Sequence, residues 1–383
     1  MMIDRRILTH FDFLLLLIVF PIVAMSFFLI NEASQSMSIK QSIYIATGFI
    51  LFWIIFFIPF RKLEKSISVF YWLCILLLLA VDIYGTTKLG AQRWIVIPGT
   101  GLSFQPSEPV KVAIILMLAN IIYHNPPPRE GYHLKDFLKI SFYIILPTLL
   151  ILKQPDLGTA LVVLLMGFSV LFLIGVNYKI WIFILIVILV ASPLIYGSLH
   201  DYQRKRINDF ISEKPSYHVR QSVITIGSGG IFGKSKEDST QTQLKFLPIA
   251  TSDFIFAYYV ERFGFVGAMI LVGLYILLIL HIFSYCFIDS KDYRLRVVAS
   301  AISILIFFYM GVNIAMTIGL APVVGIPLPI FSYGGSSFIT FMVLFAILEN
   351  LLAFRFNFEY NSNPFKNINK KGPLAQLVRA LGS

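Results

Sequence analysis

Asp253 stands at the head of an apolar run, in Thr251-Ser252-Asp253-Phe254-Ile255-Phe256-Ala257. A carboxylate there, if it faces a polar cavity, is placed to take a proton from a hydroxyl as a general base. Helix capping explains an acidic residue at that position equally well. Cations suited to an anionic substrate gather elsewhere: Arg93 in Gly90-Ala91-Gln92-Arg93-Trp94-Ile95, and Lys111 after Gln105-Pro106-Ser107-Glu108. Glu108 precedes Lys111 by three residues, which puts both on one helical face. Arg93 and Lys111 are candidates to hold a phosphate-bearing lipid, with Glu108 orienting the lysine. An intrahelical ion pair beside an interfacial Trp94 anchor accounts for the same residues.

Three further stretches concentrate polar groups. In Lys153-Gln154-Pro155-Asp156-Leu157-Gly158-Thr159, Asp156 reads as a structural N-cap and Lys153 as a phosphate contact. Arg206 lies in a basic stretch, 202–207, and Arg220 and Gln221 follow Tyr217-His218. The glycines 227, 229, 230 and 233 are not a phosphate-binding P-loop, because no Gly-Lys-Ser/Thr follows at the required spacing. They indicate loop flexibility or close approach of backbone to a ligand. His218 has no second His or Cys at metal-ligand spacing, and no metal site is spelled out. The last stretch joins Gly325-Ile326-Pro327-Leu328-Pro329 to Phe331-Ser332-Tyr333-Gly334-Gly335-Ser336-Ser337. Irregular backbone at membrane depth is tolerated only where it is buried in protein or lines a polar cavity. Ser332, Gly334, Gly335 and Ser336 are therefore candidate substrate contacts, as is Glu261 beyond Asp253.

The elements that must position these groups are membrane helices. The chain is 57% hydrophobic and 13% charged, which excludes an ordinary soluble domain. Apolar runs of bilayer-spanning length, about 17–25 residues, recur about ten times, near 11–30, 42–60, 67–86, 109–123, 138–152, 157–176, 179–198, 264–287, 298–319 and 336–354. The eighth has an alternative start at Phe254, and Pro147 interrupts the fifth. The expected fold is thus an all-α polytopic membrane protein with one large extracytoplasmic loop, 199–263, between helices 7 and 8. One integral domain covers 1–355, and a polar cytoplasmic tail covers 356–383, whose last twelve residues carry none of the site features.

Lys and Arg crowd the loops that face the cytoplasm if both termini are inside, and the short opposite loops hold only Lys40, Lys88, Arg93 and Lys153. All the polar clusters then fall at the outer face of the membrane. The formal net charge of +11 largely reflects that asymmetry and attracts anionic membrane lipids. No aromatic–basic pattern for nucleic acid is present. The first apolar run is too long for a removed signal peptide, and Cys74 and Cys286 both fall within spans.

Arg93-Trp94, Gln105 to Lys111, Gln154 to Thr159, Ile226 to Gly230, Asp253 to Phe256 and the Pro327-to-Ser337 run occur in this order over 85–350. This succession resembles the SEDS family (shape, elongation, division and sporulation), the RodA/FtsW-like polymerases of bacterial cell wall, and within it the elongation branch. The resemblance implies a glycosyltransferase that polymerises lipid II into glycan strands in the cytoplasmic membrane. A sugar hydroxyl would attack the anomeric carbon of a second lipid-linked chain, whose undecaprenyl pyrophosphate leaves. It implies Asp253 as the base, with Arg93, Lys111 and Arg206 or Arg220 stabilising the leaving group. It implies a class B penicillin-binding protein as partner and no soluble cofactor, a divalent cation being compatible but not indicated. The chain departs from the family pattern at Pro109, Ser235, Ile249, Thr251, Ser252 and Arg262. Two other readings fit the same residues: a lipid II transporter, against which the one-sided clustering argues, and a non-catalytic scaffold.

Overall fold

The computed structural model describes residues 10–88, 91–96, 103–198, 216–239, 250–289 and 292–354, with the single positions 204, 208, 210 and 241. The chain is mostly helical. Seven helices among the described residues are long and apolar enough to cross a membrane: α1 (Phe13–Ala33), α2 (Gln35–Phe57), α5 (Ser107–His124), α7 (Leu157–Ile174), α10 (Ile255–Ser284, extended by a 3-10 turn to Phe287), α11 (Tyr293–Thr317) and α12 (Gly335–Ala353). Three more, α4 (Ile67–Tyr84), α6 (Leu134–Lys153) and α8 (Tyr178–Ser198), fall on the third, fifth and seventh apolar runs. Short α3 (Phe60–Glu64) bridges α2 and α4.

Helix limits follow local chemistry beyond the apolar runs. Asp12 caps α1 by accepting from Leu14 N at 3.0 Å, and α2 begins at Gln35, seven residues before its apolar run, because polar Gln and Ser are helix-compatible. Helix α6 continues through Pro147 with an amphipathic stripe of Phe137, Ile140, Ile144, Pro147 and Ile151 turned inward. The two candidate starts of the eighth run are both real features. Helix α10 begins at Ile255 and kinks at Gly264, whose φ of 67° and ψ of −167° belong to a region open essentially to glycine.

The all-α expectation fails at one place. Three short strands make a small antiparallel sheet, β1 (Thr86–Lys88), β2 (Ala91–Val96) and β3 (Ser103–Phe104), in the order β1-β2-β3. Its Thr, Trp, Ile and Val residues favour pleated structure, and antiparallel strands close over short connections.

Helix α11 lies at the centre, packed on α5, α7 and α10, while α12 packs chiefly on α2. The start of α1 and the end of α12 meet at one end of the bundle, where Asp12 N donates to Glu349 Oε2 at 3.0 Å. Beside it, Asn350 Nδ2 closes the end of α2 by donating to the carbonyls of Phe56 and Ile58 at 2.8 and 2.7 Å.

Within the long loop, α9 (Tyr217–Ser228) packs against α10 and α11. Two of the glycines after it, Gly229 and Gly233, pack closely on the backbone of α10. A Cβ on Gly229 would lie 2.2 Å from the Val260 carbonyl oxygen. Arg262 of α10 pairs with Glu32 of α1 at 2.7 Å and also donates to the Lys234 carbonyl. The arginine that departs from the family pattern thus clips the loop to the first helix.

Candidate active site

The irregular segment 318–334 passes through the bundle with its carbonyls answered by side chains from three helices. Ser26 of α1 donates to the Phe331 carbonyl, Tyr275 of α10 to that of Pro329, and Asn313 of α11 to that of Ile326 at 2.7 Å. Buried backbone groups need such partners, so the polar residues inside these helices hold the segment's shape. Ser332 Oγ donates to the Ser252 carbonyl at 2.7 Å and accepts from Leu328 N at 2.8 Å, and Tyr333 N donates to the Thr251 carbonyl at 2.9 Å. Residues 251–253 are thereby fastened to the segment, and Asn313 also donates to the Asp253 carbonyl at 2.9 Å.

A cavity of about 520 Å³ opens at this junction. Asp253 and Ser252 line it from the head of α10, Arg93 and Trp94 from β2, and Gln105 and Glu108 from the start of α5. Asp156 and Thr159 contribute from α7, Tyr309 from α11, and Gly325, Pro327, Ser332, Tyr333, Gly334, Ser336 and Ser337 from the final irregular segment and α12. Gly325 has φ of 72°, and a Cβ there would sit 3.5 Å from Asp253 Oδ2. Burial, with Tyr44 next in effect, pushes the Tyr333 phenol above its ordinary value, so it stays protonated near neutrality.

Charges here are paired. Asp156 accepts from Thr159 N at 3.2 Å as the cap of α7. Its other oxygen takes Arg93 Nη1 at 3.1 Å and Gln105 Nε2 at 2.9 Å. The cap expected from sequence is therefore present, and the same carboxylate also orients the cation of a distant strand. Lys111 is fully buried and sits 2.8 Å from Glu108 Oε2. Its ammonium donates to Tyr309 OH at 2.6 Å. Glu108 does orient the lysine, but Lys111 lies behind the cavity wall and meets the cavity through Tyr309.

Other sequence candidates lie elsewhere. Lys153 is exposed at the end of α6 and does not line the cavity. Gln221 donates to Gln241 Oε1 beside α9, and Glu261 is buried, accepting from Gln241 N at 3.1 Å. Both belong to the docking of the loop and not to the cavity wall. Gly335 packs against the Tyr44 ring of α2, and Arg206 lies outside the described residues. Tyr309, Asn313 and the pairing role of Asp156 were not legible: the first two are isolated polar residues within an apolar helix. A lysine buried one helix away, in need of a partner, was the available signal for Tyr309. Among the described residues no group of three His, Cys, Asp or Glu side chains is placed to hold a metal; of the carboxylates at the cavity, Glu108 and Asp156 already face cations.

The chain is similar to known proteins. Residues 1–357 match the family model FtsW/RodA/SpoVE, described as cell cycle protein. A Helicobacter pylori protein, peptidoglycan glycosyltransferase MrdB, is 64% identical over 384 residues, covering 100% of both chains. The Escherichia coli K12 protein of the same name is 38% identical, over 89% of this chain and 93% of its own. Among solved structures, a chain of a peptidoglycan synthase complex that coordinates polymerization and crosslinking matches with a TM-score of 0.79 at 28% identity, over 91% and 99% of the two chains. Thermus thermophilus rod shape determining protein RodA matches with a TM-score of 0.67 at 29% identity, over 89% and 96%.

Proposed function

The chain belongs to the FtsW/RodA/SpoVE family and is a multi-pass membrane peptidoglycan glycosyltransferase, and we propose that it polymerises lipid II with Asp253 as general base. The observation that carries this reading is the placement of Asp253 in one cavity with Arg93, Gln105 and Tyr309. The nucleophile, a sugar hydroxyl, needs its proton removed as it attacks the anomeric carbon. Asp253 takes that proton. The bond from the anomeric carbon to the pyrophosphate oxygen breaks, and its electron pair leaves with the polyprenyl pyrophosphate. Arg93, held by Asp156, stabilises the charge that develops there.

We read α4, α6 and α8 as spans beside the seven apolar helices, giving ten in a single domain over 1–355. Ten crossings return the chain to its starting side, in keeping with the contact of Asp12 and Glu349 at one end of the bundle. The Lys and Arg asymmetry assigns that end to the cytoplasm, so the cavity opens outside, where lipid II is used. A class B penicillin-binding protein is the expected partner, since the similar solved chain belongs to a synthase complex that couples polymerization with crosslinking.

The test is glycan-chain synthesis from labelled lipid II by purified protein, wild type beside Asp253→Asn, with and without that partner. Chains from wild type and none from the variant support the assignment. Equal chains from both reduce Asp253 to a structural residue, and none from either with partner present argue against polymerisation.

A further inference from the structure

We propose that Tyr309 touches the substrate, its hydroxyl donating a hydrogen bond to an anionic oxygen of the pyrophosphate leaving group. The inference rests on the cavity being the glycosyl-transfer site.

The argument is an inventory of hydrogens. A lysine ammonium carries three donors and no acceptor, so in the 2.6 Å contact Lys111 donates and the Tyr309 oxygen accepts. The Tyr309 proton must go elsewhere. Among the described residues Lys111 is the one hydrogen-bond partner that the hydroxyl has. Tyr309 is 1% exposed yet lines the cavity, so the direction left for its proton is into that space. That proton is available to an acceptor oxygen of a ligand in the cavity.

Position and polarity point to phosphate. The ring is buried and packs edge-on against Phe341, with centroids 5.7 Å apart at 85°. Asn313, one helical turn on, holds the Asp253 backbone, so the base and the Tyr309 hydroxyl are set on one frame. A hydroxyl that already accepts from a cation is polarised and donates more strongly, which suits an anionic oxygen. Glu108 sits 2.8 Å from Lys111 and Asp156 holds Arg93 at 3.1 Å. The site therefore presents oriented donors with their charges largely balanced. Such donors favour a pyrophosphate most when it gains charge on departure.

Tyr309→Phe removes the hydroxyl and keeps the ring on Phe341. Chain synthesis is followed over a range of labelled lipid II concentrations, with farnesyl pyrophosphate as a competing probe and thermal melting as the folding control. Removal of one such donor is expected to lower kcat on the order of 100-fold with KM nearly unchanged, and to weaken inhibition by the probe. Lys111→Met added to Tyr309→Phe is expected to lower kcat by much less than the product of the single effects, because the two act in series. Wild-type kcat in folded Tyr309→Phe, with Asp253→Asn inactive, overturns this inference and leaves the cavity assignment standing. Wild-type kcat in both overturns the cavity assignment itself. If Tyr309→Phe does not fold, 3-fluorotyrosine at position 309 keeps the bonds and acidifies the hydroxyl. A changed kcat there supports the proposal, and an unchanged one overturns it.

Discussion

Asn313 ties two distant stretches of backbone together: one amide nitrogen donates to the carbonyl of Asp253 at 2.9 Å and to that of Ile326 at 2.7 Å. The candidate base owes its place to a side chain on another helix. Asn313→Leu keeps the volume and leaves both carbonyls without that donor. A buried group left unpaired costs about 1–3 kcal/mol. The expected outcome is a lower melting temperature in detergent and at least a tenfold loss of chain synthesis (order of magnitude, from misplacement of a reacting group). Full activity would show that Asp253 is held by other contacts.

Asp156 has two separable jobs, capping α7 and pairing with Arg93. Asn caps nearly as well as Asp, so Asp156→Asn removes the charge and keeps the cap. It should lower chain synthesis strongly while the melting temperature barely moves. Asp156→Ala should lose the cap as well, with about 1 kcal/mol further destabilisation. Equal activity of Asp156→Asn and wild type would confine Asp156 to capping.

Arg262 and Glu32 form a pair with side chains 12% and 6% exposed. Breaking such a pair by removing one member costs up to about 3–5 kcal/mol, because a buried charge is left behind. Arg262→Met is expected to loosen the loop after α9 and hasten its cleavage by limited proteolysis. Adding Glu32→Met should restore much of the protection, and failure to do so would mean that the Lys234 carbonyl contact carries the clip.

Gly264 combines a positive φ with a crowded site, where a Cβ would come within 2.3 Å of Gly233 N and the Ile231 carbonyl oxygen. Gly264→Ala must move backbone, and the conformation itself costs about 1–3 kcal/mol for a residue with a side chain. Reduced yield of folded protein and a lower melting temperature are expected. Gly273, on the same helix with no neighbour within reach of a Cβ, is the matched control, and equal effects at the two positions would dismiss the kink.

Much of this protein was written locally. The apolar runs marked the helices because a bilayer-spanning helix must be about 20 apolar residues long. Glu108 and Lys111 were legible as a pair, since three residues is a helix turn. The Pro and Gly segment after Gly325 was legible as a site, because its backbone needed partners inside the protein. The sheet within 86–104 was not, since strands of two to six residues leave little pattern against a hydrophobic background. What no spacing encodes is which side chains from remote elements meet. Asp156 reaching Arg93, Lys111 turning from the cavity to Tyr309, and Asn313 holding Asp253 are contacts between residues 60 to 198 apart in sequence. Sequence determined that a polar site sits among membrane helices and which motifs surround it. Tertiary packing decided which of those residues face the cavity, because burial and pairing of charge depend on neighbours that only folding brings together.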